Sequence, residues 1–259
     1  MKKQITLSFL LLTFVAQAQV IPVGFIKKAG YPSTGTNPVT GNLLLYLDAT
    51  RTASYGGSGT TWTDISGSNN SATLNNSPIY GSGSFTFASD KYALTSTLIS
   101  SSLSNATFIA WINPSQTQNT YAGIIFSRAG HASATAGGAT GLNFYNNNSI
   151  GYHWNSSAST WGWDSGLRVP NNKWSMVAVT INSTTATVYL CQYTGITTAI
   201  NTTDHPTVSN LKFYVGTDPL DILVRATVGK IATSMVYSST LTLDNITAIF
   251  NAQKAAFGL

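Results

Sequence analysis

Trp174-Ser175-Met176-Val177-Ala178-Val179-Thr180-Ile181, the polar break Asn182-Ser183-Thr184-Thr185, and Ala186-Thr187-Val188-Tyr189-Leu190-Cys191 form the stretch on which the fold turns. Both runs are short, rich in β-branched and aromatic residues, and bounded by turn formers, which is the pattern of β-strands. Working outward, similar runs fall at Asn42 to Ala49, Ser84 to Phe87, Thr107 to Ile112, Gly123 to Ser127 and Gly141 to Tyr145. More follow at Ser149 to Trp154, Leu211 to Val215 and Lys230 to Tyr237. Between them lie Tyr55-Gly56-Gly57-Ser58-Gly59, Tyr80-Gly81-Ser82-Gly83 and Asn146-Asn147-Asn148, which carry turn chemistry. Many short strands without intervening helices predict an antiparallel sandwich rather than a parallel α/β sheet. One helix is predicted at the end, where Thr242 caps and Ile246, Ile249, Phe250 and Phe257 recur at helical spacing before Gly258.

The N-terminus reads as an export signal. Lys2 and Lys3 precede an apolar stretch from Ile5 to Val15, and Ala16-Gln17-Ala18 supplies the small residues of a cleavage site after Ala18. The apolar core is too short to span a bilayer, and no later run supplies the ~18 apolar residues of a membrane helix. A secreted or cell-surface chain of bacterial type is expected. Residues 19–41 read as an arm or linker, and 42–259 as a single β domain.

Charged residues are 8% of the chain, against about 25% in ordinary globular proteins. Such a surface is covered by hydroxyls and amides, which suits a polysaccharide-facing protein. After signal removal, 11 basic and 8 acidic residues remain, and they are scattered. No nucleic-acid footprint results. The single Cys191 excludes an intramolecular disulfide and reads as a buried structural thiol.

A series of segments carries a resemblance. Leu47-Asp48-Ala49, Trp62-Thr63-Asp64-Ile65-Ser66-Gly67, Phe85-Thr86-Phe87-Ala88-Ser89-Asp90 and Ala106-Thr107-Phe108-Ile109-Ala110-Trp111-Ile112 open it. The Trp174 and Ala186 runs, Val215-Gly216, Gly229-Lys230-Ile231 and Val236-Tyr237 continue it in order. Together they resemble the laminin G-like jelly roll of the concanavalin A-like lectin and glucanase superfamily. The resemblance implies an all-β fold: a two-sheet antiparallel jelly-roll sandwich with one short C-terminal helix. It also implies that one sheet face and its rim loops form the ligand surface.

Glucanases of that superfamily use a Glu pair, and this chain contains no Glu; all eight acidic residues are Asp. Glycoside hydrolysis generally needs two carboxylates about 5 to 10 Å apart. The nearest Asp pair, Asp218 and Asp221 beside Pro219, has a spacing that suits a loop. Lyase chemistry would instead use His, Tyr, Arg or Gln to move protons. The expectation is therefore a chain without catalysis.

The resemblance also implies calcium at the sheet rim. Asp90 follows the Phe-x-Phe strand, and Asp218 and Asp221 follow Val215-Gly216. Asp with backbone carbonyls and water can fill a calcium shell. The same aspartates can equally cap turns through their own backbone.

Half of the six Trp residues crowd one region, where Tyr152, His153, Trp154, Trp161 and Trp163 flank a polar run. Aromatic faces stack on sugar rings, while nearby hydroxyls and amides satisfy sugar hydroxyls. Equally, Tyr152/Trp154 and Trp161/Trp163 are spaced two apart, as pairs of strand residues facing a core would be. Trp62, Trp111 and Trp174 are expected in the core.

The sequence reading is thus a secreted, non-catalytic carbohydrate-binding or adhesion module whose partner is an extracellular glycan or a cell-surface protein. One alternative is a structural subunit that self-assembles through residues 19–41, whose apolar residues suit strand addition. The other is a polysaccharide-degrading hydrolase or lyase.

Overall fold

The computed structural model describes residues 34–96, 100–128 and 138–259. The export segment and residues 19–33 of the lead-in lie outside the described residues. Strands β1 (Leu43–Asp48), β2 (Thr61–Trp62), β3 (Ala72–Asn75), β4 (Ile79–Gly81), β5 (Ser84–Phe87), β6 (Tyr92–Thr95) and β7 (Ser100–Leu103) come first. Next are β8 (Ala106–Pro114), β9 (Gly123–Arg128), β10 (Ala139–Phe144), β11 (Ile150–His153) and a one-turn helix α1 (Ala158–Trp161). Then follow β12 (Ser175–Ile181), β13 (Thr185–Gln192), β14 (Gly195–Thr202), β15 (Val208–Leu211), β16 (Phe213–Val215), β17 (Gly229–Tyr237) and helix α2 (Leu243–Gln253).

The strands form two large antiparallel sheets. The first runs β14-β13-β12-β8-β17-β5-β4, with β1 also paired to β17. The second runs β11-β10-β9-β16-β6-β3-β2, and β15 pairs with β7 apart from both. This is the layered all-β sandwich that the strand pattern predicts.

Side-chain alternation explains how the layers stack. In β8, Phe108, Ala110 and Ile112 enter the core between the sheets, while Ile109 and Trp111 face the other way. In β12, Val177, Val179 and Ile181 face in and Met176 and Ala178 face out. The first sheet is therefore apolar on both faces, which is why its strands read as continuous apolar runs.

Helix α2 covers that outer face with Ile246, Ile249 and Phe250. The Thr242 hydroxyl accepts from the Asn245 amide, and Asn245 returns a bond to the Thr242 amide, closing a reciprocal cap. Trp111 stacks on Phe257 at 4.1 Å, and its Nε1 donates to Gln253 Oε1 at 2.7 Å. Trp111 is thus buried between sheet and helix, whereas Trp62 is buried between the two sheets. Cys191 lies in the layer under α2, where burial pushes its thiol up to about 12.

The described part of the lead-in packs on the domain. Thr34 donates to the Asp48 carboxylate, Gly35 N–H to the Ala252 carbonyl at 3.1 Å, and Asn37 Nδ2 to the Tyr237 hydroxyl at 2.8 Å. No helix among the described residues is long and apolar enough to cross a membrane.

Candidate functional site

With part of the first sheet's outer face covered by α2, the outer face of the second sheet carries the cluster of titratable and aromatic side chains around His153. Strand β11 sends Ile150 and Tyr152 into the core, so Gly151 and His153 point outward. The register aligns His153 with Gly141 on β10, Gly141 with Phe126 on β9, and Phe126 with Tyr214 on β16. Two residues beyond Phe126 on the same face is Arg128.

His153 is 4% exposed and packs edge-on against Phe126 and Tyr121. Its Nδ1 lies 2.9 Å from Asn143 Oδ1. Asn143 Nδ2 is already donating to the Phe144 carbonyl, so Oδ1 accepts and the imidazole carries its proton on Nδ1. Nε2 is left with a lone pair. Burial, above all, pushes this histidine down to about 3; Asp218 opposes the shift, and the charges of Arg128 and Arg225 add to it.

The loop after β16 delivers a charge network. Asp218 is fully buried, and Arg128 approaches its carboxylate in a fork through Nε and, at 2.8 Å, Nη2. Arg225 Nη1 donates at 2.9 Å to Oδ2, the oxygen that Arg128 Nη2 also holds, and the Leu220 amide donates to Oδ1 at 3.0 Å. Burial alone would raise the Asp218 carboxyl, but the hydrogen bonds and charge of Arg128, with the Leu220 and Arg225 bonds, hold it below its ordinary value. Arg225 is fixed by its backbone as well. Its N–H donates to the Asp221 carbonyl at 2.8 Å, and its carbonyl accepts from Gly123 at 3.0 Å.

Tyr121 closes the arrangement from the segment before β9. Its φ is +68°, a conformation that a bulky side chain adopts only when surroundings impose it. Here its N–H donates to the Phe144 carbonyl at 2.8 Å and its ring lies under the Arg225 guanidinium at 5.0 Å. Burial and Tyr145 raise its hydroxyl above the ordinary value, partly offset by Arg225.

Tyr121, Arg128, His153, Trp161, Leu220 and Arg225 line an open cavity of about 260 Å³. Trp161, 38% exposed, forms one wall edge-on to Tyr121. A larger recess of about 490 Å³ lies beside Trp174, Tyr193 and Phe257, but the buried ion pairs among the described residues are at Asp218.

The aromatic cluster read from the sequence divides. His153 and Trp161 line the cavity. Tyr152 and Trp154 are fully buried in the inter-sheet core. There the Tyr152 hydroxyl meets His205 Nε2 and Asn201 Nδ2, each at 2.9 Å, and Trp154 Nε1 donates to the Pro206 carbonyl at 2.6 Å. Trp163 is half-buried against Tyr152. Trp161 and Trp163 do not share a strand face: Trp161 ends α1, whose turn is held by Thr160 Oγ1 donating to the Ser157 carbonyl at 2.8 Å.

The three aspartates read as calcium ligands also separate in role. The Asp90 N–H donates to the Ile222 carbonyl at 2.9 Å, which brings it beside the 218–221 segment. Asp221 Oδ1 accepts from the Leu223 and Val224 amides, each at 3.0 Å, and so caps its own turn. Asp218 is taken up by two arginines. Among the described residues no three His, Cys, Asp or Glu come together as a metal-holding group. Arg128, Arg225 and Tyr121 were not singled out in the sequence. They stand on separate segments that only the tertiary fold unites, and a tyrosine's backbone angle leaves no mark in composition or periodicity.

Residues 86–247 match a laminin-G-type family model described as the concanavalin A-like lectin/glucanases superfamily. No curated sequence relative matches the chain. Among solved structures, domain 4 of a GH43 extracellular arabinanase from Geobacillus stearothermophilus, in complex with arabinotriose, is similar at 15% identity and a TM-score of 0.60. That match covers 80% of this chain and 98% of the other. A sialidase of Trypanosoma rangeli in complex with sialic acid is similar at 14% identity and a TM-score of 0.57, covering 88% of this chain and 36% of the sialidase. A GH54 α-L-arabinofuranosidase gives 10% identity and a TM-score of 0.58, covering 76% of this chain and 51% of the enzyme. These neighbours correct the expectation of a non-catalytic binding or adhesion module: they are glycan-cleaving enzymes or a domain of one.

Proposed function

The chain belongs to the concanavalin A-like lectin/glucanase superfamily, and from that premise we propose that it is a polysaccharide-degrading enzyme, or the domain of one, acting at the cavity over Tyr121 and His153. The observation that carries this reading is Tyr121, held at φ +68° in an open cavity beside a buried neutral imidazole. Strain of this kind costs about 1–3 kcal/mol and collects at functional sites. The chemistry available there is proton transfer between neutral groups. Tyr121, with its hydroxyl raised, stays protonated and donates to a departing glycosidic oxygen. In the matching step a water oxygen bonds to the anomeric carbon as the glycosidic bond breaks, and its proton passes to Nε2 of His153, a weak base because of its burial, and from there back to Tyr121. Trp161 offers an exposed ring for a sugar face. Asp218 does not act as nucleophile, because both of its oxygens are engaged. A chain read as exported meets such a substrate outside the cytoplasm.

The test is turnover of a polysaccharide panel by the purified chain, followed both as new reducing ends and as absorbance of unsaturated products. Tyr121→Phe is expected to lower the rate by about 10²- to 10⁴-fold, the usual worth of a positioned acid or base, while the melting curve holds. A wild-type chain that binds a glycan and never cleaves it overturns the proposal.

A further inference from the structure

We infer that the sugar received by this cavity is an acidic one, its carboxylate taken by Arg225. The inference rests on the reading that the cavity holds a glycan and adds the class of sugar.

Charge balance carries it. The charged groups acting on His153 are Asp218, Arg128 and Arg225, one negative and two positive. Asp218 is shared between both guanidiniums, so among the described charged groups that act on His153 the positive outnumber the negative by one. His153 stays neutral, and Tyr121 cannot supply an anion with its hydroxyl raised. The remaining acid of that loop, Asp221, keeps its charge but turns Oδ1 to the Leu223 and Val224 amides, and it neither lines the cavity nor acts on His153. Charge left partly desolvated calls for a partner. Arg128 is 4% exposed in its side chain and is spent on Asp218; Arg225, at 23%, is the one that reaches the opening.

Arg225 is also pre-set for the task. One of its nitrogens holds Asp218, its backbone is pinned at both N–H and carbonyl, and its guanidinium is stacked on Tyr121. A planar guanidinium with donors to spare matches a carboxylate. The volume of about 260 Å³ falls just under the ~300 Å³ where pockets for drug-sized ligands begin, which suits one sugar ring rather than several. A bound carboxylate would also offset part of the arginine charge that adds to the lowering of His153, while burial, the larger cause, stays.

The experiment uses the whole chain and measures binding by tryptophan fluorescence, for which Trp161 is the local reporter. Polygalacturonate, alginate and hyaluronan are each compared with the carboxyl-reduced polymer, and dextran sulfate tests for plain anion binding. At least one acidic polymer is expected to bind tenfold or more tighter than its reduced form, with the preference lost in Arg225→Gln, kept in part by Arg225→Lys, and weakened by salt. Equal binding of acidic and reduced polymers overturns this inference and leaves the cavity reading standing. Dextran sulfate matching the best uronate also overturns it. If no polymer, acidic or neutral, binds the wild-type chain, the cavity reading falls with it. The wild-type comparison needs no variant, so a misfolded Arg225→Gln leaves the result decisive.

Discussion

Arg128 meets the fully buried Asp218 carboxylate side-on, Nε to one oxygen and Nη2 to the other. The pair welds the end of β9 to the loop after β16, and Arg225 joins it from the far end of that loop. Breaking a buried pair by removing one partner leaves an uncompensated charge in the interior. Asp218→Asn is therefore expected to cost about 3–5 kcal/mol, read as a lower midpoint in urea unfolding. A loss under 1 kcal/mol would mean the arginines turn to solvent without resistance.

The same groups set the acid stability. His153 is depressed to about 3 from 6.5, so below pH 6.5 the unfolded chain takes up a proton that the folded chain refuses. Stability then falls as pH drops from 6.5 toward 3, by at most about 1.4 kcal/mol per pH unit. Asp218 is depressed too; its contribution is present above 3.8 and is lost as pH falls through its lower folded value. His153→Gln should make the limb between pH 6.5 and 3 shallower, leaving the part that comes from His205, which burial also lowers. Unfolding midpoints measured across pH 3 to 8 check this, and an unchanged limb in the variant refutes the buried neutral imidazole.

Two tryptophans seven residues apart should respond in opposite ways. Trp154 is fully buried between the sheets, so Trp154→Ala should cost about 3–5 kcal/mol. Trp161 stands in the open wall of the cavity, so Trp161→Ala should shift stability by about 0.5 kcal/mol or less while weakening glycan binding severalfold. Thermal melts and a binding titration on both variants separate the roles.

That contrast also marks how far the sequence could be read. Where a strand is apolar and bounded by turns, the pattern locates it: Ser84 to Phe87 is β5, and the Trp174 and Ala186 runs become β12 and β13. The edge strand β14 has no such signal, because Thr197, Thr198 and Ile200 face solvent on an exposed rim and no buried face forces alternation. Short strands such as β2 and β4 are likewise defined by their partners rather than by their own residues. In the cavity, His153 and Trp161 were visible as members of an aromatic cluster. Alternation alone could not say that β11 turns His153 outward and Tyr152 inward, since that depends on which sheet lies behind.

Helix α2, with the 3-10 turn Lys254–Phe257 that follows it, should behave as structural cover for the first sheet. Phe257 stacks on Trp111 at 4.1 Å and lies 4.8 Å from Trp174. Phe257→Ala is expected to cost about 3 kcal/mol, toward the lower end for a large aromatic, because Phe257 is only partly buried. It should leave the cavity of the second sheet intact. Chemical denaturation paired with the glycan titration tests both halves; a binding loss as large as the stability loss would show that the two faces are coupled.

Gly141 is the residue on which the geometry of the cavity floor depends most sharply. It lies between His153 and Phe126 in the register and has a φ of +148°. A Cβ there would come within 2.2 Å of the Ile125 carbonyl oxygen and 2.8 Å of the Phe126 Cα, both backbone atoms that cannot rotate away. Gly141→Ala must therefore push β10 from β9, and with it Asn143, which fixes the His153 ring at 2.9 Å. The expected result is a folded but less stable chain, by about 2 kcal/mol as for other backbone positions forced from a preferred region. Its loss of turnover or glycan affinity should exceed that of Trp161→Ala. Circular dichroism melts with the same titration would decide it, and a Gly141→Ala chain of wild-type stability and affinity would show that the β9–β10 pairing does not set the position of His153.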